Sequence, residues 1–492
     1  MIKKIFLFIL ISFFLLPSIL FSASLREQVV EYELSNGMRW FFVVRPQTPV
    51  FSGIVMVRVG SIEEEQGKTG LAHMFEHMAL KGSRQIGTHD FSKEKPFLNK
   101  INSLGRELTR IQDDPGQKAR QQEIKQQVAD LTASARQYRL PNEIWEVMTQ
   151  HGAAHLNAFT SKDVTAYHAS MPSNGLDLWA FIFSQMVSDP VFRDFYVERD
   201  VVLEELRLSN ENSPDGIMLE KLVNTAFSSG PYHWSTIGFK SDVRSLTDED
   251  AKNFHQKNYL GKNMVGVLVG DIDLPKAKET IAHYFGSLPS GSVNSNPPES
   301  IPNHGRARVE FDAQPFLTLG FHKPTLPHED EYVFDAIAVL LCEGRSSRLH
   351  KRFVVQEKIA RSVNCYGDFP GVRLPNLFVF WIEPLESVSF ELIESSLSKE
   401  LVKLKEELVS KEELLRVITM SRAHFVYALE TNLSLARALA SFETLFGDWT
   451  LLADYPEKLK KVTAEDIRRV SRHYFVNENQ VVVERVQKGK GL

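Results

Sequence analysis

The stretch LTDEDAKNFHQKNYLGKNMVGVLVG, residues 246–270, has a counterpart near the end of the chain, VTAEDIRRVSRHYFVNENQVVVERV, residues 462–486. Thr247 meets Thr463, Asp250 meets Asp466 and Asn263 meets Asn479, each pair 216 positions apart. In both, Thr-x-x-Asp reads as a capping box that opens a helix, and an apolar, β-branched run then reads as a strand. The match predicts two copies of one unit. The Pro/Ser/Asn-rich stretch PSGSVNSNPPESIPNHG, 289–305, reads as the linker between them.

The front ends of the copies match at a different offset. Gly82 in ALKGS aligns with Gly344 in LCEGRSS, 262 positions on, so the first copy carries 46 more residues between its landmarks. Residues 90–140 account for them. Phe97, Ile101, Leu104, Leu108 and Ile111 repeat at 4-3-4-3 spacing, as do Ile124, Val128, Leu131, Ala135 and Tyr138, with Asp113-Asp114-Pro115-Gly116 as a turn between. This predicts an antiparallel helical hairpin with a coiled-coil seam, inserted in the first half. Its plainer reading is a projecting spacer, its sharper one a partner- or substrate-guiding arm.

The first copy also holds GKTGLAHMFEHMALKGS, residues 67–83. Good helix formers lie between Gly70 and Gly82. On a helix, His73 and His77 share a face at i, i+4 and offer two imidazole nitrogens to one metal ion. Glu76 lies near that face, where a carboxylate can take a proton from a water acidified by zinc. His-x-x-Glu-His is the inverse of the commoner zinc-protease order. Under the front-end match, Asp335, Ala338 and Val339 stand at the places of His73, Glu76 and His77, so the second half keeps the scaffold and not the site. Gly67-Lys68-Thr69 ends like a phosphate loop, but Ile62 stands where that loop needs glycine.

Other segments supply context. VEYELSNGMRWFFVVRP reads as a hairpin turning at Asn36-Gly37. AHLNAFTSKDVTAYHASMP, 154–172, reads as two strands, with Asn157 to Thr160 as an edge, and a helix follows through Leu176–Val187. In VERDVVLEELRLS, Glu198 and Glu205 are two helical turns apart on one face, with Glu204 about 120° away.

At 492 residues the chain needs more than one core. Its net charge of −5, near −7 without Lys3 and Lys4, excludes a general nucleic-acid binder. MIKKIFLFILISFFLLPSILFSAS, 1–24, reads as a secretory signal cleaved after Ala23 or Ser24, with an uncleaved anchor as the alternative. The location implied is periplasmic or secreted. Cys342 and Cys365 allow one bridge or two buried thiols.

GKTGLAHMFEHMALKGS, LNAFTS and ERDVVLEELR resemble, in order, motifs of the pitrilysin/insulinase family of zinc metallopeptidases. The branch most resembled is that of mitochondrial processing peptidase and its bacterial relatives, over nearly the whole mature chain. The resemblance implies an α+β protein of two homologous domains, 25–288 and 306–492. Each would be an antiparallel sheet packed with helices, and the two would face each other across a chamber. It implies one zinc per chain, held by His73, His77 and Glu205, with Glu76 as general base and Glu198 supporting the site. The 128 positions from His77 to Glu205 exceed the usual family separation, and the inserted hairpin explains the excess. Asn157 and Ala158 match the edge strand that holds the substrate backbone, which suits β-augmentation. The implied activity is endopeptidase action on peptides or unfolded segments. The implied assembly is a homodimer, or a heterodimer with a related chain, with no nucleic acid and no membrane beyond an uncleaved anchor. The sequence departs from the family at VVQEKIARSV, 354–363, where Val354 and Arg361 stand in place of an Arg and a Tyr that bind the substrate carbonyl. A partner-dependent or non-catalytic subunit, or a zinc-holding peptide receptor, are the alternatives.

Overall fold

A computed structural model of the protein describes residues 21–291 and 297–489. The expected signal segment lies outside the described residues over positions 1–20, and the expected linker over 292–296.

Among the described residues the apolar runs form thirteen strands. These are β1 (Val29–Glu33), β2 (Arg39–Val44), β3 (Val50–Val57), β4 (Ala154–Thr160), β5 (Thr165–Pro172), β6 (Phe227–Ser229) and β7 (Met264–Gly270). Then come β8 (Ile301–Pro302), β9 (Gly305–Phe311), β10 (Phe316–Lys323), β11 (Ala360–Phe369), β12 (Asn376–Pro384) and β13 (Gln480–Gln487). The first sheet runs β1-β2-β7-β3-β5-β4. The second, read from its β9 edge, runs β9-β13-β10-β12-β11, the first sheet's order without β1. The duplication is therefore built into the topology. Both sheets are antiparallel except for one pair in each, β2 with β7 and β9 with β13. A parallel neighbour needs a crossover, and in each half a capped helix leads into that strand: Asp248–Asn258 before β7 and Ala464–Tyr474 before β13.

The matched residues make matched bonds. Thr247 with Asp250, and Thr463 with Asp466, form reciprocal capping boxes. The Asn263 amide donates to the carbonyl of Asn258 at 2.8 Å, and the Asn479 amide to that of Tyr474 at 2.9 Å.

Each half lends a helix to the other. Helix Pro214–Ala226 sets Met218, Leu222 and Ala226 against Leu377, Val379, Val481 and Val483 of the second sheet. Helix Asn432–Phe446 sets Leu435 and Leu439 against Phe41, Ile54 and Val267 of the first. Leu435 and Leu439 alone represent roughly 3–6 kcal/mol of burial, a large part of the roughly 5–15 kcal/mol that holds a typical protein folded. Residues 25–288 expressed alone are accordingly expected to aggregate, and co-expression with 289–492 to restore a soluble species in size-exclusion chromatography. A folded, monodisperse 25–288 would show the exchanged helix to be dispensable.

The hairpin consists of helices Phe91–Ile111 and Lys118–Ala135. It is not a free spacer. Its first helix is docked on the first half by Arg106 with Asp248 (2.7 Å), by Glu94 with Arg193 (2.9 Å) and by Gly105 beneath the Tyr196 ring. The docking stripe, Glu94, Leu98, Asn102 and Gly105, is polar at two of four places, so hydrophobic spacing shows only the other seam. Cys342 and Cys365 form a disulfide with Cα atoms 5.7 Å apart, joining helix Asp330–Cys342 to β11. Within 289–305, β8 pairs with β6. No helix of the described residues is long and apolar enough to cross a membrane.

Candidate metal centre

Helix Leu71–Ala79 has two faces. Leu71, Ala72, Met74, Phe75, Met78 and Ala79 are buried and anchor it in the first core. Phe75 packs on Tyr259 at 4.4 Å between ring centroids. His73, Glu76 and His77 remain on the opposite face. Gly70 precedes the helix at φ +85°, and a Cβ there would lie 2.4 Å from the carbonyl oxygen of Ile237. Only glycine fits that entry. Glu64 accepts the amides of Gly70 (2.9 Å) and Ala72 (2.8 Å), capping the helix from outside its own turn.

Helix Phe195–Leu206 crosses the histidine face and brings Glu205 to it. Nε2 of His73 lies 3.7 Å from Oε1 of Glu205, and Nε2 of His77 lies 3.7 Å from Oε2. Three ligand atoms of His73, His77 and Glu205 lie within 4.8 Å of one another, and no other such group exists among the described residues. Two imidazoles and a carboxylate with an open fourth position fit zinc, whose ligands at about 2.0–2.1 Å stand about 3.4 Å apart. Burial, with His77 alongside, lowers the pKa of His73 to about 4 and keeps its ring neutral, as a ligand must be.

Glu198 sits where a carboxylate could orient a histidine ligand from behind. Oε2 of Glu198 lies 3.5 Å from Nδ1 of His77, on the ring nitrogen turned from Glu205, and Oε1 lies 2.5 Å from Nζ of Lys81. Burial raises the Glu198 pKa, but His77 and Lys81 outweigh it and the net shift is downward. Glu204 points elsewhere and pairs with Arg207.

Glu76 accepts a hydrogen bond from Thr160 Oγ1 at 2.7 Å. Burial raises its pKa against that bond. Thr160 ends β4, the edge of the first sheet. On the same strand the amide of Ala158 donates to Oδ1 of Asn157 at 2.9 Å. A cavity of about 290 Å³ opens beside Glu76 and His77, with Lys81, Arg139 and Trp145 in its wall. Sequence reading missed Thr160, although LNAFTS contains it, and missed Glu64 and Lys81, whose partners no spacing reveals. Arg361 pairs with Glu383 at 3.1 Å on β11, and Val354 is half-buried in helix His350–Gln356.

Two family profiles match this chain. "Insulinase (Peptidase family M16)" covers residues 43–105 and 132–239, and "Peptidase M16 inactive domain" covers 245–421. The break in the first falls inside the hairpin. The chain is 26% identical over 460 residues to a Helicobacter pylori protein named zinc protease PqqE, with 92% of this chain and 91% of that one covered. A crystal structure of a Helicobacter pylori protease superposes at a TM-score of 0.77 and 25% identity, covering 93% of this chain and 99% of that one. The periplasmic protease PqqL of Escherichia coli shares the fold at a TM-score of 0.68 and 18% identity over 94% of this chain and 48% of that one. Profile matches on both sheets, and a superposition that spans both, place the chain in peptidase family M16, the insulinase/pitrilysin family.

Proposed function

We propose that this protein is a zinc-dependent endopeptidase acting on peptides or unfolded protein segments. The observation that carries the reading is the meeting of His73, His77 and Glu205 beside Glu76 at the end of an edge strand. His73, His77 and Glu205 would hold a zinc ion, which when bound would supply Lewis-acid polarisation of the scissile carbonyl and of the attacking water. The chain's own residues do the rest. An extended substrate adds to β4, its backbone replacing the Asn157 carboxamide at the Ala158 amide. Thr160 holds the Glu76 carboxylate in place. Glu76 accepts the proton of the attacking water and hands it to the leaving amine nitrogen. Glu198 accepts from Nδ1 of His77, which fixes the ring and leaves Nε2 free to bind metal.

Glu198→Gln is expected to weaken zinc binding about 10- to 100-fold, read by competition with a chromophoric chelator. Unchanged affinity would remove Glu198 from the site.

The domains are read as 25–288, which carries the site, and 306–492, which does not. The location is read as periplasmic or secreted, supported by the amino-terminal signal pattern and the Cys342–Cys365 bridge, which suits an oxidising compartment. The assembly is read as a homodimer or a heterodimer with a related chain. A second reading, a subunit active only with a partner, is favoured by Val354 and Arg361 at the family's Arg and Tyr places. Turnover of a mixed-peptide library by the isolated protein, residues 25–492, decides between them.

A further inference from the structure

We infer that the half without a metal centre supplies a positioning residue, Arg373, that holds the site helix in place through a buried ionic joint. The joint lies where the loop between β11 and β12 enters the first half. Nη1 of Arg373 donates to Oε1 of Glu63 at 2.6 Å and to the carbonyl of Asp163 at 3.2 Å. The Arg373 and Glu63 side chains are 3% and 8% exposed. Asp163 accepts the amide of Val372 at 2.7 Å, and Tyr232 donates to Asp163 while accepting the amide of Leu374. Gly371 admits no side chain: a Cβ there would lie 2.6 Å from Asp163 Oδ2 and 2.7 Å from the Tyr232 hydroxyl. The approach is thus built for contact.

The two acids that receive Arg373 each neighbour a residue that serves the site. Glu64, next to Glu63, caps the site helix at Gly70 and Ala72. Lys162, next to Asp163, is buried beside Glu64 and donates to the carbonyl oxygens of Pro231 and Trp234. Two residues before Lys162, Thr160 holds Glu76. The two turns are themselves bonded, the amide of Ser61 to the carbonyl of Ser161 (3.2 Å) and that of Ile62 to Lys162 (2.9 Å). One short path therefore runs from the second half to both His73 and Glu76. Arg485 with Asp215, 2.9 Å, also joins the halves but touches neither turn. It is the natural control.

The test uses the full mature chain. Arg373→Met is expected to speed amide exchange across 70–79 by about tenfold and to lower kcat by about 10- to 100-fold, with KM within about threefold. Arg373→Lys restores part of both, and Asp215→Asn moves neither. The kinetic arm rests on the peptidase reading. If the wild type cleaves nothing, that reading falls, while exchange at 70–79 still decides the joint. If Arg373→Met does not fold, Glu63→Gln is read in the same way. Unchanged exchange in 70–79 in the folded variant, or an equal effect from Asp215→Asn, would overturn the inference.

Discussion

Glu76→Gln is expected to abolish peptide hydrolysis and to leave zinc in place. The amide keeps the shape of the side chain and an oxygen for the Thr160 hydroxyl, which now donates at 2.7 Å. It cannot accept the water proton. General-base catalysis is worth about 10²–10⁴-fold, so kcat falls by at least about 100-fold. Glu76 lies outside the three-residue ligand group, so the metal content of the variant equals that of the wild type. The check is kcat on a quenched peptide beside metal analysis of the same sample. A variant that keeps zinc and more than a tenth of the wild-type kcat would take the base role from Glu76.

The second large effect comes from removing a ligand. His77 holds two positions at once, Nε2 toward Glu205 and Nδ1 toward Glu198. His77→Ala therefore leaves Glu198 without its imidazole partner and leaves His73 and Glu205 as an incomplete pair. Loss of a supporting carboxylate alone costs about 10- to 100-fold in metal affinity, so loss of the ligand is expected to exceed that range. Binding to the folded state alone raises stability by mass action. A chelator is thus expected to lower the melting temperature of the wild type and not that of His77→Ala. Scanning calorimetry with and without chelator reads the difference. A chelator shift of equal size in both would place the metal elsewhere.

The candidate site was legible to the extent that it is local. His73, Glu76 and His77 share one helical face by geometry alone, and Glu198 and Glu205 share another. That the two faces meet is not readable from spacing, since 128 positions separate His77 from Glu205, and resemblance to a known motif order was needed to pair them. Thr160, Lys81 and Glu64 stayed hidden for the same reason: their partners lie on other elements. The duplication was legible because Thr247, Asp250 and Asn263 recur as a set with a shared structural purpose. The exchanged helices were not, because an apolar stripe says that a face is buried and not which sheet buries it. Cys342 and Cys365 left bridge and thiols open until the fold brought a helix end beside β11.

The measurement that tests the central claim most directly is peptide turnover by residues 25–492 before metal removal, after it, and after one equivalent of zinc is returned. Turnover that disappears with the metal and returns with a single zinc per chain is the predicted result. Turnover that survives removal, or a chain fully loaded with one zinc that cleaves nothing in a mixed-peptide library, would contradict it.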